Sequence, residues 1–127
     1  MAYQLSKKEV IKEIVKCGKN PEYFINTYAK ISHPLKGLIP FKLYDYQGEL
    51  VRLFNDHRFN VILKARQLGI STITAAYVAW QMLFHRDKNI LVIATKFSTA
   101  SNLVKKVKSI IKYLPEWMQI AKIEINN

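Results

Sequence analysis

Residues 60–84 read NVILKARQLGISTITAAYVAWQMLF, and this stretch decides the fold prediction. A short apolar run with β-branched residues at 60–65 predicts a strand, the glycine-containing stretch at 66–71 predicts a loop, and residues 72–84 are too long an apolar segment for a strand and predict a helix. The order repeats at once, because NILVIAT at 89–95 predicts a second strand before another helix. Strands that are apolar on both faces and alternate with helices indicate a parallel sheet covered by helices, hence an α/β fold.

The second of these helices has its start and stop signals in the sequence. Ser98 or Thr99 can cap it, its apolar positions recur at helical spacing through Leu114, and Pro115 ends it. The alternating AKIEIN at 121–126 predicts one more strand.

The segment before residue 60 predicts three helices. Ser6 and Glu9 form a capping-box pattern for a helix over 7–17 with Gly18 after its end, and Asn20-Pro21 starts a second helix that ends before His33-Pro34. Residues 33–43 hold two prolines and one glycine and predict an extended surface connector. Asp45 can cap the third helix. Its predicted buried stripe consists of Tyr46, Leu50, Leu53 and Phe54.

Composition narrows the class of protein. The 127 residues carry a net charge of +11, which favours polyanionic partners such as nucleic acid or nucleotide phosphate. Cys17 is the single cysteine, so neither an internal disulfide nor a thiolate metal site is expected, and it is predicted to be a small buried hydrophobe. No apolar run approaches the roughly 20 residues needed to span a bilayer, and the first ten residues do not resemble a signal peptide. We therefore expect a cytosolic protein that does not insert into membranes.

The loop after the first predicted strand is the best candidate for phosphate binding. The usual phosphate-loop pattern is G-x-x-x-x-G-K-[ST], in which backbone amides wrap the phosphates and the lysine reaches their oxygens. Here Gly69 and Ser71 fit the pattern, whereas Lys64 replaces the first glycine and Ile70 replaces the lysine. Lys64 could place its ammonium near the same phosphates from the other side, and Arg66 adds a planar donor fork. The alternative is an ordinary turn with both cations solvated.

A candidate for base recognition lies upstream in PFKLYDYQGEL, residues 40–50. The carboxamide of Gln47 offers one acceptor and two donors, which match N6 and N7 of adenine. Phe41, Tyr44 or Tyr46 could stack on the base. The alternative is that Gln47 lies on an exposed helix face and that the aromatic residues belong to the core.

Taken together and in this order, LYDYQ at 43–47 and ARQLGIS at 65–71 resemble the ATPase domain of the large subunit of tailed-phage DNA-packaging terminases, in particular the T-even-like myovirus branch. Residues 90–119 resemble the family's next strand and helix with its leucine-proline-acid-aromatic turn. The resemblance covers about residues 35–127 and implies a P-loop NTPase fold of the RecA-like ASCE class, incomplete, preceded by a helical lead over 1–34. The similarity is most specific in the loop.

The resemblance implies roles for individual residues. Gln47 would recognise the adenine of ATP, Lys64 would replace the phosphate-loop lysine, and Arg66 would sense phosphate or act as a cis arginine finger, so that Lys64 and Arg66 are the catalytic candidates. Ser71 would bind Mg²⁺ through its hydroxyl. The remaining nucleotide-binding positions would be Ala65, Gln67, Leu68, Gly69, Ile70 and Thr72.

The sequence also departs from the family. Ile70 stands at the usual lysine position, although Lys64 matches a variant loop with the lysine displaced to its beginning. No apolar run after Thr72 ends in the Asp-Glu pair of a Walker B motif, and the coupling motif and nuclease cluster are absent. Because hydrolysis needs a carboxylate to orient water and help hold the metal, we expect the N-terminal part of a terminase large subunit that binds ATP weakly and does not hydrolyse it alone.

The resemblance further implies double-stranded DNA, a portal protein and a small terminase subunit as partners, and the cytoplasm of an infected bacterium as location. An exposed sheet edge would favour a homo-oligomer. Two alternative functions stay open: a fragment of a helicase-like glutamine-motif ATPase, and a non-catalytic basic module that binds nucleic acid.

Other residues give weaker signals. Lys105, Lys106, Lys108 and Lys112 share the polar side of one helix and could touch DNA phosphate, although a solvated face explains them more simply. The histidines His33, His57 and His85 lack metal-ligand spacing and receive no role. Trp80, Met82 and Phe84 are expected in the core, with Trp117 as a packing anchor.

Overall fold

Helices make up most of the molecule. The computed structural model describes residues 5–63, 69–85 and 88–119, and helices account for 62% of them. In chain order the elements are α1 (Lys7–Lys19), α2 (Pro21–Tyr28), β1 (Lys30–His33), β2 (Gly37–Pro40), α3 (Asp45–Asp56), α4 (Ile70–Phe84), α5 (Phe97–Lys112) and a 3₁₀ turn at Glu116–Met118. The predicted strand at 121–126 lies outside the described residues.

The predicted parallel α/β sheet of a P-loop NTPase is wrong. Within the described ranges the sheet is an antiparallel pair, β1 with β2, and residues 60–63 and 88–94 belong to no strand. Val61 and Leu63 are fully exposed, and Leu91 and Ile93 are more than four-fifths exposed. Apolar, β-branched composition favours an extended chain, but a strand forms only beside a partner, which composition does not specify.

The first two helices follow the predicted capping chemistry. Ser6 and Glu9 form the capping box, with the Ser6 hydroxyl accepting from the Glu9 N–H at 3.3 Å. The Asn20 side chain caps α2 by accepting from the Tyr23 N–H at 3.0 Å, and Pro21 occupies the first turn. Helix α1 nevertheless runs two residues beyond the predicted end, so Gly18 lies inside it.

A β-hairpin replaces the predicted connector at 33–43. Lys30 pairs with Pro40 and His33 with Gly37, so α2 ends at Tyr28 rather than at His33. The turn is closed by Nδ1 of His33, which accepts from the N–H groups of Leu35 and Lys36, and by Gly37 at φ +72°. Glycine tolerates this positive φ without the steric cost of a Cβ.

The core lies between the five helices α1 to α5. Its largest fully buried side chains are Phe24, Ile25, Ile73, Met118, Val51 and Cys17. The predicted burial of Cys17 and Trp80 is confirmed, and Nε1 of Trp80 donates to the carbonyl of Cys17 at 2.7 Å. Met82 is 43% exposed, so its assignment to the core is wrong. Phe84 is partly buried and meets Phe24 edge-on, while Trp117 packs edge-on against Tyr28.

Helix α3 buries a different face from the predicted one. Leu50 and Phe54 pack against the core as expected, but Tyr46 and Leu53 are exposed. The fully buried positions are Gln47, Gly48 and Val51. The N-cap is Tyr44 rather than Asp45, which begins the helix. Burial of a glutamine on this face is the feature that forms the site described next.

Candidate functional site

The polypeptide that leads into α3 is fixed to α2 and the hairpin by backbone hydrogen bonds. The Phe41 N–H donates to the carbonyl of Ala29 at 2.9 Å, and the Leu43 N–H donates to Oδ1 of Asn26 at 2.8 Å. The Tyr44 N–H then donates to Oε1 of Gln47 at 2.9 Å. These bonds hold the aromatic segment 41–46 in one position relative to Gln47.

Gln47 is a buried polar side chain at the first turn of α3. It is 4% exposed, so the reading in which it lies on an exposed helix face is wrong. Oε1 accepts a hydrogen bond from the Tyr44 N–H at 2.9 Å. The side chain is thus oriented by its own helix terminus, with Nε2 directed towards the start of α4.

Gly69 stands opposite Gln47 and precedes α4. Its φ of +71° is a left-handed conformation that favours glycine, and a Cβ placed on it would lie 3.0 Å from Nε2 of Gln47. The glutamine motif and the loop glycine therefore lie next to each other. The sequence alone gave only their order along the chain. Other sequence-predicted positions of the loop, Lys64, Ala65, Arg66, Gln67 and Leu68, lie outside the described residues.

A cavity of about 600 Å³ opens where these elements meet. The hairpin, the segment before α3 and the start of α4 each contribute to its wall. Its lining residues are Ile31, Ile39, Pro40, Phe41, Lys42, Tyr44, Tyr46, Gln47, Gly69 and Thr72. Such a cavity, mostly apolar with a few polar groups, is the usual form of a small-molecule site.

Two tyrosines form an aromatic platform at this cavity. The rings of Tyr44 and Tyr46 are stacked, with centroids 6.0 Å apart and planes 12° from parallel. Tyr44 is 69% exposed and Tyr46 is 45% exposed, so both present ring surface to solvent. Phe41, by contrast, is buried in the core. Of the three aromatic residues proposed from sequence to stack on a base, the two tyrosines are the accessible ones.

The first turn of α4 separates the remaining predicted residues. Thr72 lines the cavity with Gln47, whereas Ser71 lines a second cavity of about 330 Å³ beside Thr99, Asn102 and Lys106. Ile70, at the position of the usual phosphate-loop lysine, packs against the core. Its side chain is therefore used for packing.

The residues around Ser71 fit a metal ion only in part. Mg²⁺ is usually held by one or two carboxylates together with the phosphates of a ligand. Within 5–63, 69–85 and 88–119, no carboxylate lines the Ser71 cavity and no group of three or more His, Cys, Asp or Glu residues converges. A magnesium ion at Ser71 would thus depend on oxygens supplied by a bound nucleotide, and the role of Ser71 stays a prediction.

The sequence missed the contribution of the hairpin to the cavity. Ile31, Ile39 and Pro40 come from β1 and β2, within and beside the segment interpreted as a connector. Pro34 and Gly37, which bound the turn, were the available signal for a hairpin there. The α5 lysines Lys105, Lys106, Lys108 and Lys112 are exposed as expected for a polar helix face.

Comparison with protein-family models found no match to the sequence. Among the described helices none is both long and apolar enough to cross a membrane.

Proposed function

We propose that this chain binds an adenine nucleotide in the cavity between the hairpin, α3 and α4. The observation that carries the proposal is the close approach of Gln47 to Gly69. Gln47 is the candidate for recognising the base, and Gly69 belongs to the loop that is the candidate for binding phosphate. The carboxamide of Gln47 would hydrogen-bond to the adenine edge, with Oε1 accepting from N6 and Nε2 donating to N7.

The tyrosines would hold the face of the base. Aromatic side chains that stack on bases contribute about 1–3 kcal/mol per base. Tyr44 is the better-placed test residue, since its ring is 69% exposed and its backbone, rather than its side chain, bonds to Gln47. Lys64 and Arg66 would contact the phosphates, as the sequence resemblance implies.

In a larger context we propose that the chain serves as the nucleotide-binding part of a phage DNA-packaging motor. The sequence motifs at 43–47 and 65–71 support this assignment, and the fold described above does not contribute to it. Double-stranded DNA, a portal protein and a small terminase subunit would then be the partners, in the cytoplasm of an infected bacterium. Since the sequence has no apolar run ending in Asp-Glu, ATP turnover by this chain would be negligible.

A basic nucleic-acid-binding module is the second candidate. It is favoured by the net charge of +11 and by the four exposed lysines of α5. It predicts DNA binding that does not change when nucleotide is added.

The test of the proposed function is calorimetric titration with adenosine, Mg-ATP and Mg-GTP. We expect wild-type protein to bind adenosine and Mg-ATP, with Mg-GTP about tenfold weaker because guanine presents an acceptor where adenine presents a donor. Tyr44→Ala should weaken adenosine binding about tenfold, whereas the matched variant Tyr44→Phe, which keeps the ring, should bind normally. Lys64→Ala should weaken Mg-ATP alone.

Gln47→Glu separates recognition from folding. A carboxylate can still accept from the Tyr44 N–H, but it cannot donate to the base. We expect this variant to lose adenosine binding, and thermal unfolding measures the cost of the buried carboxylate separately. Absence of binding by the wild type, or equal affinity for Mg-ATP and Mg-GTP, would contradict the proposal.

A further inference from the structure

A smaller cavity adjoins the proposed base cavity on its hairpin side. Its volume is about 220 Å³, and it shares Ile31 and Thr72 with the larger cavity. A ligand that occupied the larger cavity could therefore extend past Thr72 into the smaller one. The other lining residues are Lys30, Ser32, Lys106, Ser109 and Ile110.

The lining of this smaller cavity is cationic and rich in hydroxyl groups. Lys30 comes from the start of β1 and Lys106 from α5, which contacts β1 and packs against α4. Among the described residues that line the cavity, none carries a carboxylate. Over the part of the chain that is described, the single ion pair joins Arg52 to Glu22, so neither lysine is neutralised there.

Lys106 differs from the other lysines of its helix. It lines the smaller cavity together with Thr72, and it also lines the cavity that holds Ser71. It is thus the lysine of α5 that shares a cavity with each of two consecutive residues of α4. Lys105, Lys106 and Lys108 are all exposed, but Lys105 and Lys108 line neither cavity.

We propose that Lys30 and Lys106 bind the polyphosphate of the adenine nucleotide, with the base in the larger cavity and the phosphates in the smaller one. This inference rests on the proposed function. Ile70 stands where a phosphate loop usually has its lysine, and its side chain packs against the core. Lys30 of β1 and Lys106 of α5 would supply positive charge in its place. Ammonium groups on flexible stems can reach phosphate oxygens from the wall of such a cavity and form charge-assisted hydrogen bonds with them.

The test compares two double variants that remove the same charge. Lys30→Gln/Lys106→Gln removes both cavity lysines, and Lys105→Gln/Lys108→Gln removes two exposed α5 lysines as the matched control. Each is titrated calorimetrically with adenosine, ADP and ATP in magnesium-free buffer, after its thermal unfolding has been shown to match that of the wild type.

The proposal predicts that affinity rises from adenosine to ATP in the wild type and in the control. In Lys30→Gln/Lys106→Gln adenosine affinity should stay unchanged while ATP affinity falls about tenfold or more, as expected for loss of charge-assisted hydrogen bonds. Equal ATP affinity in the two double variants would overturn the inference while leaving the proposed function standing. Absence of both adenosine and ATP binding in the wild type would overturn both.

Discussion

Nε2 of Gln47 lies 3.0 Å from the position that a Cβ atom would take at Gly69. This distance is shorter than an ordinary van der Waals contact, so a Cβ at residue 69 would require the Gln47 amide to move by a few tenths of an ångström. The contact joins the first turn of α3 to the N-cap residue that precedes α4. It is the structural reason for treating the two sequence motifs as one site.

Gly69→Ala should reduce both stability and nucleotide affinity. An alanine at position 69 must adopt a positive φ, which costs about 1–2 kcal/mol. Its Cβ must also displace the Gln47 amide. Chemical denaturation and adenosine titration measure the two effects.

Gly37→Ala is the control for that variant. Gly37 has nearly the same φ, +72°, but a Cβ there would meet nothing within 4 Å. Gly37→Ala should be about 1–2 kcal/mol less stable than the wild type, because alanine must adopt the positive φ, and it should keep full adenosine affinity. If both variants lose the same stability and bind adenosine equally, the Gln47–Gly69 contact has no part in binding.

Glu13 should make folding stability dependent on pH in the acid range. Its carboxylate accepts hydrogen bonds from the hydroxyls of Tyr28 and Tyr23, the latter at 2.8 Å, and these bonds together with nearby Lys16 lower its pKa below the ordinary 4.5. A carboxyl whose pKa is lower in the folded state stabilises the protein above the unfolded pKa, and this contribution is lost as the pH falls through the folded value. Stability should therefore decline from about pH 4.5 downwards.

Urea denaturation of Glu13→Gln between pH 3 and pH 7 measures this contribution. The variant should be less stable than the wild type at pH 7, by about 1 kcal/mol, and the two should converge at low pH. Glu49→Gln, which alters an exposed carboxylate of α3, should leave the difference between pH 7 and pH 3 unchanged. Parallel pH profiles of Glu13→Gln and the wild type would show that the tyrosine bonds do not stabilise the ionised carboxylate.

Cys17 should be inert in the native protein. It is fully buried, and burial raises the pKa of its thiol to about 12, so almost no thiolate is present near neutral pH. Labelling with a disulfide reagent at pH 8 should be slow and should accelerate with urea in parallel with the loss of circular dichroism. Rapid stoichiometric labelling of the folded protein would place the thiol at the surface instead.

The sequence predicted local features well where a few adjacent residues determine them. The Ser6–Glu9 capping box, the Asn20 cap and the burial of Cys17 and Trp80 depend on short-range chemistry and on apolar content, as does the helix predicted over 72–84, which begins two residues earlier, at Ile70. Pairing of strands is a long-range property, and for that reason the apolar runs at 60–63 and 90–93 misled the fold prediction.

The burial of Gln47 could not be predicted from the sequence for a related reason. The predicted buried stripe of α3 included Tyr46 and Leu50 but not Gln47. In the structure, α3 packs against α2 and α4 with Gln47 and Val51 facing inward. The sequence identified Gln47 and Gly69 as candidates by their residue type. Their contact across the start of α4 became evident only from the structure.

The most direct test of the central claim is nuclear magnetic resonance of ¹⁵N-labelled protein during titration with adenosine. The account predicts that the side-chain amide signals of Gln47 and the backbone amide signal of Gly69 shift together along one saturating binding curve, while the backbone signal of Gly37 in the hairpin turn does not move. Shifts confined to other parts of the molecule, or no shift of Gln47 and Gly69 at saturating adenosine, would contradict it.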